Sequence, residues 1–354
     1  MEKNNPLSQI HRNIDRRSFL KLSGLLGLGL ASTGIIPQTA KAVKFNRNTY
    51  KVSKTRLAMG TYVSMTLIHP SRDKAERAIG LAFEEIDRLT GLMNRFDDST
   101  AVARLNRSGF LNDAPPEVSE VIARALAHYR LSHGAFDISV KPVVDLFRGK
   151  FTAGKKMLPK ESELKQVLKL VGSDKIELRG RRLRLKKQGM GITLDGIAKG
   201  YIVDKASKAL AGQKINNHLI NAGGDIRAMG SRSENKPWTV AIQDPLKRKN
   251  YPDIIHMTDG AIATSGNYEV YFDQEKMFHH IVDPRTGLSS GLNDASVSVL
   301  AKTAMDADAF STSVFVMDPI HGIRFINSVP GCECLVITKA NKKIKSEGWK
   351  GTVI

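Results

Sequence analysis

The stretch from His279 to Gly291 reads HHIVDPRTGLSSG and gathers several groups able to do chemistry. Two adjacent histidines can take or give a proton near neutral pH. The turn that follows brings a carboxylate, a guanidinium and hydroxyls together within a few residues. Such a loop can bind phosphate, bind a metal, or only turn a corner. Four other stretches bear on the choice. GITLDGIAKG (Gly191–Gly200) sets glycines and Lys199 where a strand would give way to a helix. A helix N-terminus there presents N–H groups and a partial positive charge, which suits a phosphate. NAGGDIRAMG carries Gly223-Gly224, where a flat ring or a ligand backbone can approach closely. ATSGNYE supplies the hydroxyls of Thr264 and Ser265. KTAMDADAFSTSVFVM places Asp308 and Thr312 four residues apart, on one face of a helix. A carboxylate and a hydroxyl so placed can hold Mg²⁺. The neighbours of Asp308 are mostly apolar, and an unpaired buried carboxylate is costly, which argues for a partner. Taken singly, each stretch also has a plain structural reading: close packing, a β-turn, a helix cap.

The elements that must position these groups follow from periodicity. TYVSMTLIH (Thr61–His69) alternates as a strand, and Asp73 to Met93 has helical spacing at Ile79, Ala82, Phe83, Ile86, Leu89 and Met93. Pro115-Pro116 introduces a second helix through Leu131, and Lys175 to Lys187 reads as a basic hairpin turning at Gly180. GITL is expected as a strand, and DGIAKGYIVDKASKAL as a helix capped by Asp195. Strands follow at HLINAGG, WTVAIQ, GAIATSG and ASVSVLA, and a last helix runs from Met305 to Phe315. Mixed element order with several hairpins favours an α+β fold with mixed sheets and packed helices. The length suits one large domain or two intimately packed lobes, with no linker between them.

Residues 1–42 are expected to be a secretory signal, with 43–354 as the folded domain. Arg16-Arg17 in DRRSFLK precede an uncharged stretch from Leu22 to Ala40, and Ala40-Lys41-Ala42 offers small residues for cleavage. The paired arginines make it a twin-arginine signal, which exports folded proteins and places this one in a periplasm. Gly24, Gly27, Gly29 and Gly34 dilute the apolar stretch and argue against a permanent span. The formal charge is +19, and +15 once six Lys/Arg and two Asp/Glu of the signal are removed. Surface-like runs such as RGRRLRLKK carry the excess, without a basic helix interleaved with aromatics, so nucleic acid is not the expected partner. An anionic ligand, an acidic partner or peripheral contact with an anionic membrane all fit that charge. Cys332 and Cys334 in GCEC read as small apolar side chains on one face of a strand, with a local disulfide as the alternative.

Taken together and in order, these stretches resemble the FAD:protein FMN transferase (ApbE) family. The resemblance rests on MGTYVSM at Met59, MNRFDDSTAVARLN at Met93, GAFDISVKPVVDLF at Gly134, GIAKGYIVD at Gly196, NAGGDI at Asn221, TSGNYE at Thr264, HIVDPRTG at His280 and ADAFSTSVFVM at Ala307. It implies an α+β fold, FAD as substrate and a Mg²⁺-dependent reaction. In that reaction FMN passes from FAD to a Thr or Ser hydroxyl of an acceptor flavoprotein of an electron-transfer chain, and AMP leaves. By similarity, Asp308, Thr312 and the Gly196 backbone would hold Mg²⁺. Met59, Phe96, Ala135, Phe136, Asp137, Thr193, Lys199 and Val282 would surround FAD. His280 is the candidate base, with Asp283 orienting its loop.

The chain departs from the family where Asp-Leu-Gly-Gly is common, having Thr193-Leu194-Asp195-Gly196, and Phe96 stands where Tyr is common. Two other readings stay in view, the second of them through the departure at Thr193. An FAD pyrophosphatase would use water in place of the protein hydroxyl, and a carrier would bind FAD without turning it over.

Overall fold

A computed structural model describes residues 41–45, 48–152, 158–233, 236–246, 248, 251–266, 281–290 and 294–351. His279 and His280, and the signal up to Ala40, lie outside the described residues. The element order begins β1 (Lys41–Lys44), β2 (Tyr50–Ala58), β3 (Thr61–His69), α1 (Arg72–Met93), α2 (Ala101–Ser108), β4 (Phe110–Leu111), α3 (Pro116–Leu131), α4 (Lys141–Thr152) and α5 (Glu161–Leu168). It continues with β5 (Ile176–Arg179), β6 (Arg182–Leu185), α6 (Ala198–Gly212), β7 (His218–Ala222), β8 (Asp225–Met229), β9 (Trp238–Ala241), β10 (Ile254–Met257), β11 (Asp259–Gly266) and β12 (Asp294–Ala301). Last come α7 (Ala304–Val316), α8 (Pro319–Asn327), β13 (Glu333–Thr338) and β14 (Lys343–Lys345). The fold is α+β. The boundary expected after Ala42 falls inside β1, whose Ala42 pairs with Val52.

Nine strands form one sheet in the order β1-β2-β3-β7-β8-β11-β12-β13-β14. Its described pairings are all antiparallel. Alternation along each strand sorts side chains to two cores. On β7 and β13, Ile220, Ala222, Cys334 and Val336 join the helix-covered core, while Leu219, Leu335 and Ile337 join the opposite one. That second core is covered by β9–β10 and by Trp349. Asp253 pins it shut: its buried carboxylate accepts from Trp349 Nε1 at 2.9 Å and pairs with Lys345 at 2.9 Å. A Cβ on Gly351 would stand 2.2 Å from the same carboxylate, so the segment packs directly onto it.

Two local expectations are corrected. GITL is not a strand, because its backbone bonds go elsewhere. The Asn106 side-chain amide takes both the N–H and the C=O of Ile192, at 2.6 and 2.9 Å, and Thr193 donates its N–H to Ile138. Asp195 does not cap α6, which starts after Ile197 without a side-chain cap. Its carboxylate instead pairs with Arg95 at 3.2 Å. Cys334 lies in β13 but Cys332 precedes it, and both are buried free thiols. Burial, the first cause, raises the Cys332 thiol to about 11, which leaves it unreactive. Among the described residues, no helix is long and apolar enough to cross a membrane.

His218 opens β7 fully buried between Ser207 Oγ (2.7 Å from Nε2) and the Ile215 carbonyl (2.8 Å from Nδ1). A carbonyl can only accept, so Nδ1 carries the proton and Ser207 donates to Nε2. Burial lowers the imidazole from 6.5 to about 4. The unfolded chain therefore binds this proton more readily than the fold does. Stability is held above pH 6.5 and falls as the pH drops towards 4, by roughly 3 kcal/mol from this group. Asp204, raised by burial to about 6, has the opposite sign and loses its contribution as pH rises through 6. The two offset each other between pH 4 and 6. Urea unfolding of His218→Gln beside the parent isolates the first: the variant should lose less stability on acidification, and parallel profiles would refute the assignment.

Candidate active site

The site is built where α6, α7 and β8 meet. The β8 pattern sends Ile226 and Ala228 to the second core, so Asp225 and Arg227 face the helices. Gly200 lets α6 press onto the start of α7, since a Cβ there would lie 2.2 Å from the Ala304 carbonyl oxygen. Asp204, one turn further along α6, accepts from the N–H groups of Ala304 and Met305, each at 2.9 Å. Thr303 caps the same end by accepting from Asp306 N–H. Two donors of the α7 N-terminus are thus satisfied by α6 and one by its own cap.

This clamp sets Asp308 against Asp225. Both carboxylates are buried, at 5% and 2% exposure, and Asp308 accepts from Gly200 N–H at 3.2 Å. Lys199 Nζ stands 3.5 Å from Asp225 Oδ2, an ion pair at the outer limit of hydrogen-bond range. By hydrogen-bond geometry that oxygen has no partner among the described residues. Burial, then the neighbouring Asp225 charge, push the Asp308 carboxyl well above the usual carboxylate range. Burial raises Asp225 too, against the pull of Lys199. Two carboxylates facing one lysine leave a site short of positive charge.

Around them runs a belt of hydroxyls. Thr312 Oγ1 lies 3.4 Å from Ser265 Oγ, which bonds Ser311 Oγ at 2.8 Å. Gly196 abuts Thr312, where a Cβ would come within 3.0 Å of the hydroxyl. Asp308, Asp225, Lys199, Thr312, Gly196 and Ser265 line one cleft with Ala135, Phe136, Asp137, Thr193 and Val282. The cleft has a volume of about 100 Å³ and opens to solvent.

Some of the expected residues line the cleft and others lie outside its lining. Asp137 borders the cleft, yet its carboxylate is taken up by Ser139 and Ser173 through their N–H and hydroxyl groups. It shapes the 3-10 turn over Ile138–Val140. Thr193 accepts from Asp195 N–H at 3.3 Å. Asp283 accepts from the Arg285 N–H and guanidinium and organises its turn, while Val282 and Pro284 face the cleft. Met59 sits in the β2–β3 turn at φ 52° and is not among the cleft-lining residues. Phe96, 60% exposed, has the guanidinium carbons of Arg95 and Arg148 over its ring at 4.3 and 4.6 Å from the centroid and is also outside that lining. Asp225 and Asp204 were missed by sequence reasoning. The available signal for Asp225 was an acid alternating with Arg227 on a strand whose other face is apolar.

For Mg²⁺ the donor chemistry fits. Among the described residues no group of three or more His, Cys, Asp or Glu side chains forms a metal cluster. A buried carboxylate pair with an orphaned oxygen, a hydroxyl and a glycine backbone is a hard-oxygen set, of the kind that holds Mg²⁺ with one or two carboxylates.

An α+β scaffold that brings buried carboxylates, a lysine and hydroxyls to one helix-end cleft is that of an enzyme, and its relatives make it a transferase. The chain belongs to the ApbE family, which matches residues 59–336. An FAD:protein FMN transferase of Vibrio cholerae is 32% identical over 273 residues, covering 74% of this chain and 80% of that protein. One of Haemophilus influenzae is 30% identical over 287 residues, covering 77% and 82%. Among solved structures, an ApbE protein of Thermotoga maritima superposes with TM-score 0.76 at 29% identity, covering 84% of this chain and 97% of that one. The flavin transferase ApbE of Vibrio cholerae gives 0.73 at 26%, covering 84% and 98%.

Proposed function

We propose that this chain is an FAD:protein FMN transferase. It moves FMN from FAD to a Thr or Ser hydroxyl of an acceptor flavoprotein of an electron-transfer chain, in the periplasm after twin-arginine export. The observation that carries the reading is the Asp308–Asp225–Lys199 cluster, its two carboxylates buried and its lysine half-buried, beside Thr312 and Gly196. The acceptor oxygen attacks the FMN phosphorus, the pyrophosphate bond breaks, and AMP departs with the bridging oxygen. The hydroxyl proton goes to His280. Lys199, at the first turn of α6, faces the pyrophosphate charge, and that helix end adds its partial positive charge. Ala135, Phe136 and Val282 give the apolar wall against which a ring system packs. Asp308, Thr312 and the Gly196 carbonyl would hold Mg²⁺, which when bound supplies charge neutralisation at the phosphates.

Mass spectrometry of an acceptor domain incubated with the protein, FAD and Mg²⁺ tests this. An FMN-sized adduct matched by equal AMP is expected. AMP and free FMN without an acceptor would mark a pyrophosphatase. FAD bound with neither product, on two different acceptors, would mark a carrier.

A further inference from the structure

The small sheet β4-β6-β5 takes no part in the chemistry above. Along β6, Leu183 and Leu185 are buried and Arg182 and Arg184 face outward. The register sets Arg182 opposite Arg179, and Arg184 between Phe110 and Glu177. Like charges directly across a ladder repel, so the Arg179–Arg182 pair costs stability. Phe110 beside them is 52% exposed. The outer side of this sheet and the end of α2 form a groove of about 950 Å³, open to solvent. Arg107, Arg179, Arg182, Arg184 and Lys187 line it, against Glu177 as the one acid among its described lining residues. Glu177 is already shared between Arg179 and Lys186, at 3.9 and 3.8 Å.

We propose that this groove docks an acidic segment of the acceptor protein, an inference that rests on the transferase reading above. Arginines beside an exposed aromatic ring are the composition of a protein-recognition surface. The repelling Arg179–Arg182 pair would be relieved by an intervening carboxylate. Concavity favours a polypeptide over a bilayer, since an extended chain enters a groove and a flat lipid surface does not. The groove is also tied to the cleft. Asn106 lines it and holds Ile192 by both backbone groups, and the next residue, Thr193, lines the cleft. One loop therefore forms a wall of each, and an acceptor seated in the groove lies against the backbone that leads to Gly196.

The test uses the double variant Arg182→Glu/Arg184→Glu, whose side chains are exposed and whose melting temperature should match the parent. A fluorescent oligoglutamate peptide should bind the parent and lose about ten-fold in affinity in the variant, with a similar loss on raising salt from about 50 to about 300 mM. In the transfer assay the acceptor KM should rise about ten-fold, with kcat and the KM for FAD within about two-fold. Unchanged peptide affinity and unchanged acceptor KM would overturn the proposal. So would a parent that ignores the peptide but binds phosphatidylglycerol vesicles through the same arginines. A parent that binds the peptide through Arg182 and Arg184, yet forms no adduct on any acceptor, would uphold the groove as an acidic-polypeptide site and sink the transferase reading alone.

Discussion

Asp308→Asn is expected to abolish FMN transfer while leaving the metal-free fold at least as stable as the parent. The two effects separate because the carboxylate is badly placed for folding. It is buried, it faces Asp225, and its charged form is opposed first by burial and then by that neighbour. A neutral amide of the same shape removes the desolvation and the repulsion while still accepting from Gly200 N–H. For activity the charge is what matters. Losing a group aimed at developing charge costs about 10²- to 10³-fold in rate, and losing a metal ligand with it brings the expected drop to at least about 10³-fold. Single-turnover AMP release and adduct mass measure the first effect, and thermal unfolding the second. Mg²⁺ should raise the melting temperature of the parent and not of the variant, because a ligand stabilises only a fold that binds it. A variant that unfolds several degrees earlier yet transfers FMN normally would make Asp308 a structural residue.

Gly200→Ala is the second change with a large expected effect. Its Cβ would stand 2.2 Å from Ala304 O, 2.5 Å from the Ala304 carbonyl carbon and 2.8 Å from Met305 Cα. All three are backbone atoms, so no rotamer relieves the contact and α7 must move by about an ångström. Overpacking of this kind costs about 1–3 kcal/mol, partly offset by the better helix propensity of alanine. Asp308 is one turn along α7 and moves with it, away from Lys199 and Asp225. A misplacement of about 1 Å at a reacting centre can cost about 10²-fold in rate, and that is the loss expected here. Gly80→Ala, inside α1 with open space at its Cβ, is the control and should stabilise by about 0.5–1 kcal/mol. Gly200→Ala with parental stability and rate would show that the α6–α7 contact is slack.

The legible parts of this fold were those whose burial is periodic. α1 and β3 follow their apolar spacing, and Asp308 and Thr312 share a face of α7 as their four-residue separation requires. Gly191–Leu194 misled because an apolar run says that side chains are buried and not what the backbone pairs with. Its partner is an amide 86 residues away in sequence. Asp195 misled in the same manner, since Arg95 competes for the carboxylate that a cap would need. The short helices α2, α5 and α8 were not anticipated, having too few turns to show a period, and neither was the longer α4. The carboxylate pair was half visible. Asp308 stands out in an apolar helix, whereas Asp225 resembles an ordinary turn acid until β8 is laid beside α6. The family resemblance in the ordered motifs named the cleft more surely than any single spacing did. It could not show that two arginines would lie over the Phe96 ring.

The Asp253 latch sets an order of events during synthesis. Trp349 and Lys345 must emerge from the ribosome before Asp253, nearly a hundred residues earlier, can bury its charge against them. Until then the second core lacks Trp349 from its cover, and the Asp253 carboxylate lacks its Lys345 counter-charge. The second core is therefore closed only once Trp349 and Lys345 are in place, and not strand by strand. A nascent chain in that state exposes Trp238, Val240 and Ile255, the kind of apolar surface that chaperones hold. The proposed export of a folded chain would have to wait for this closure.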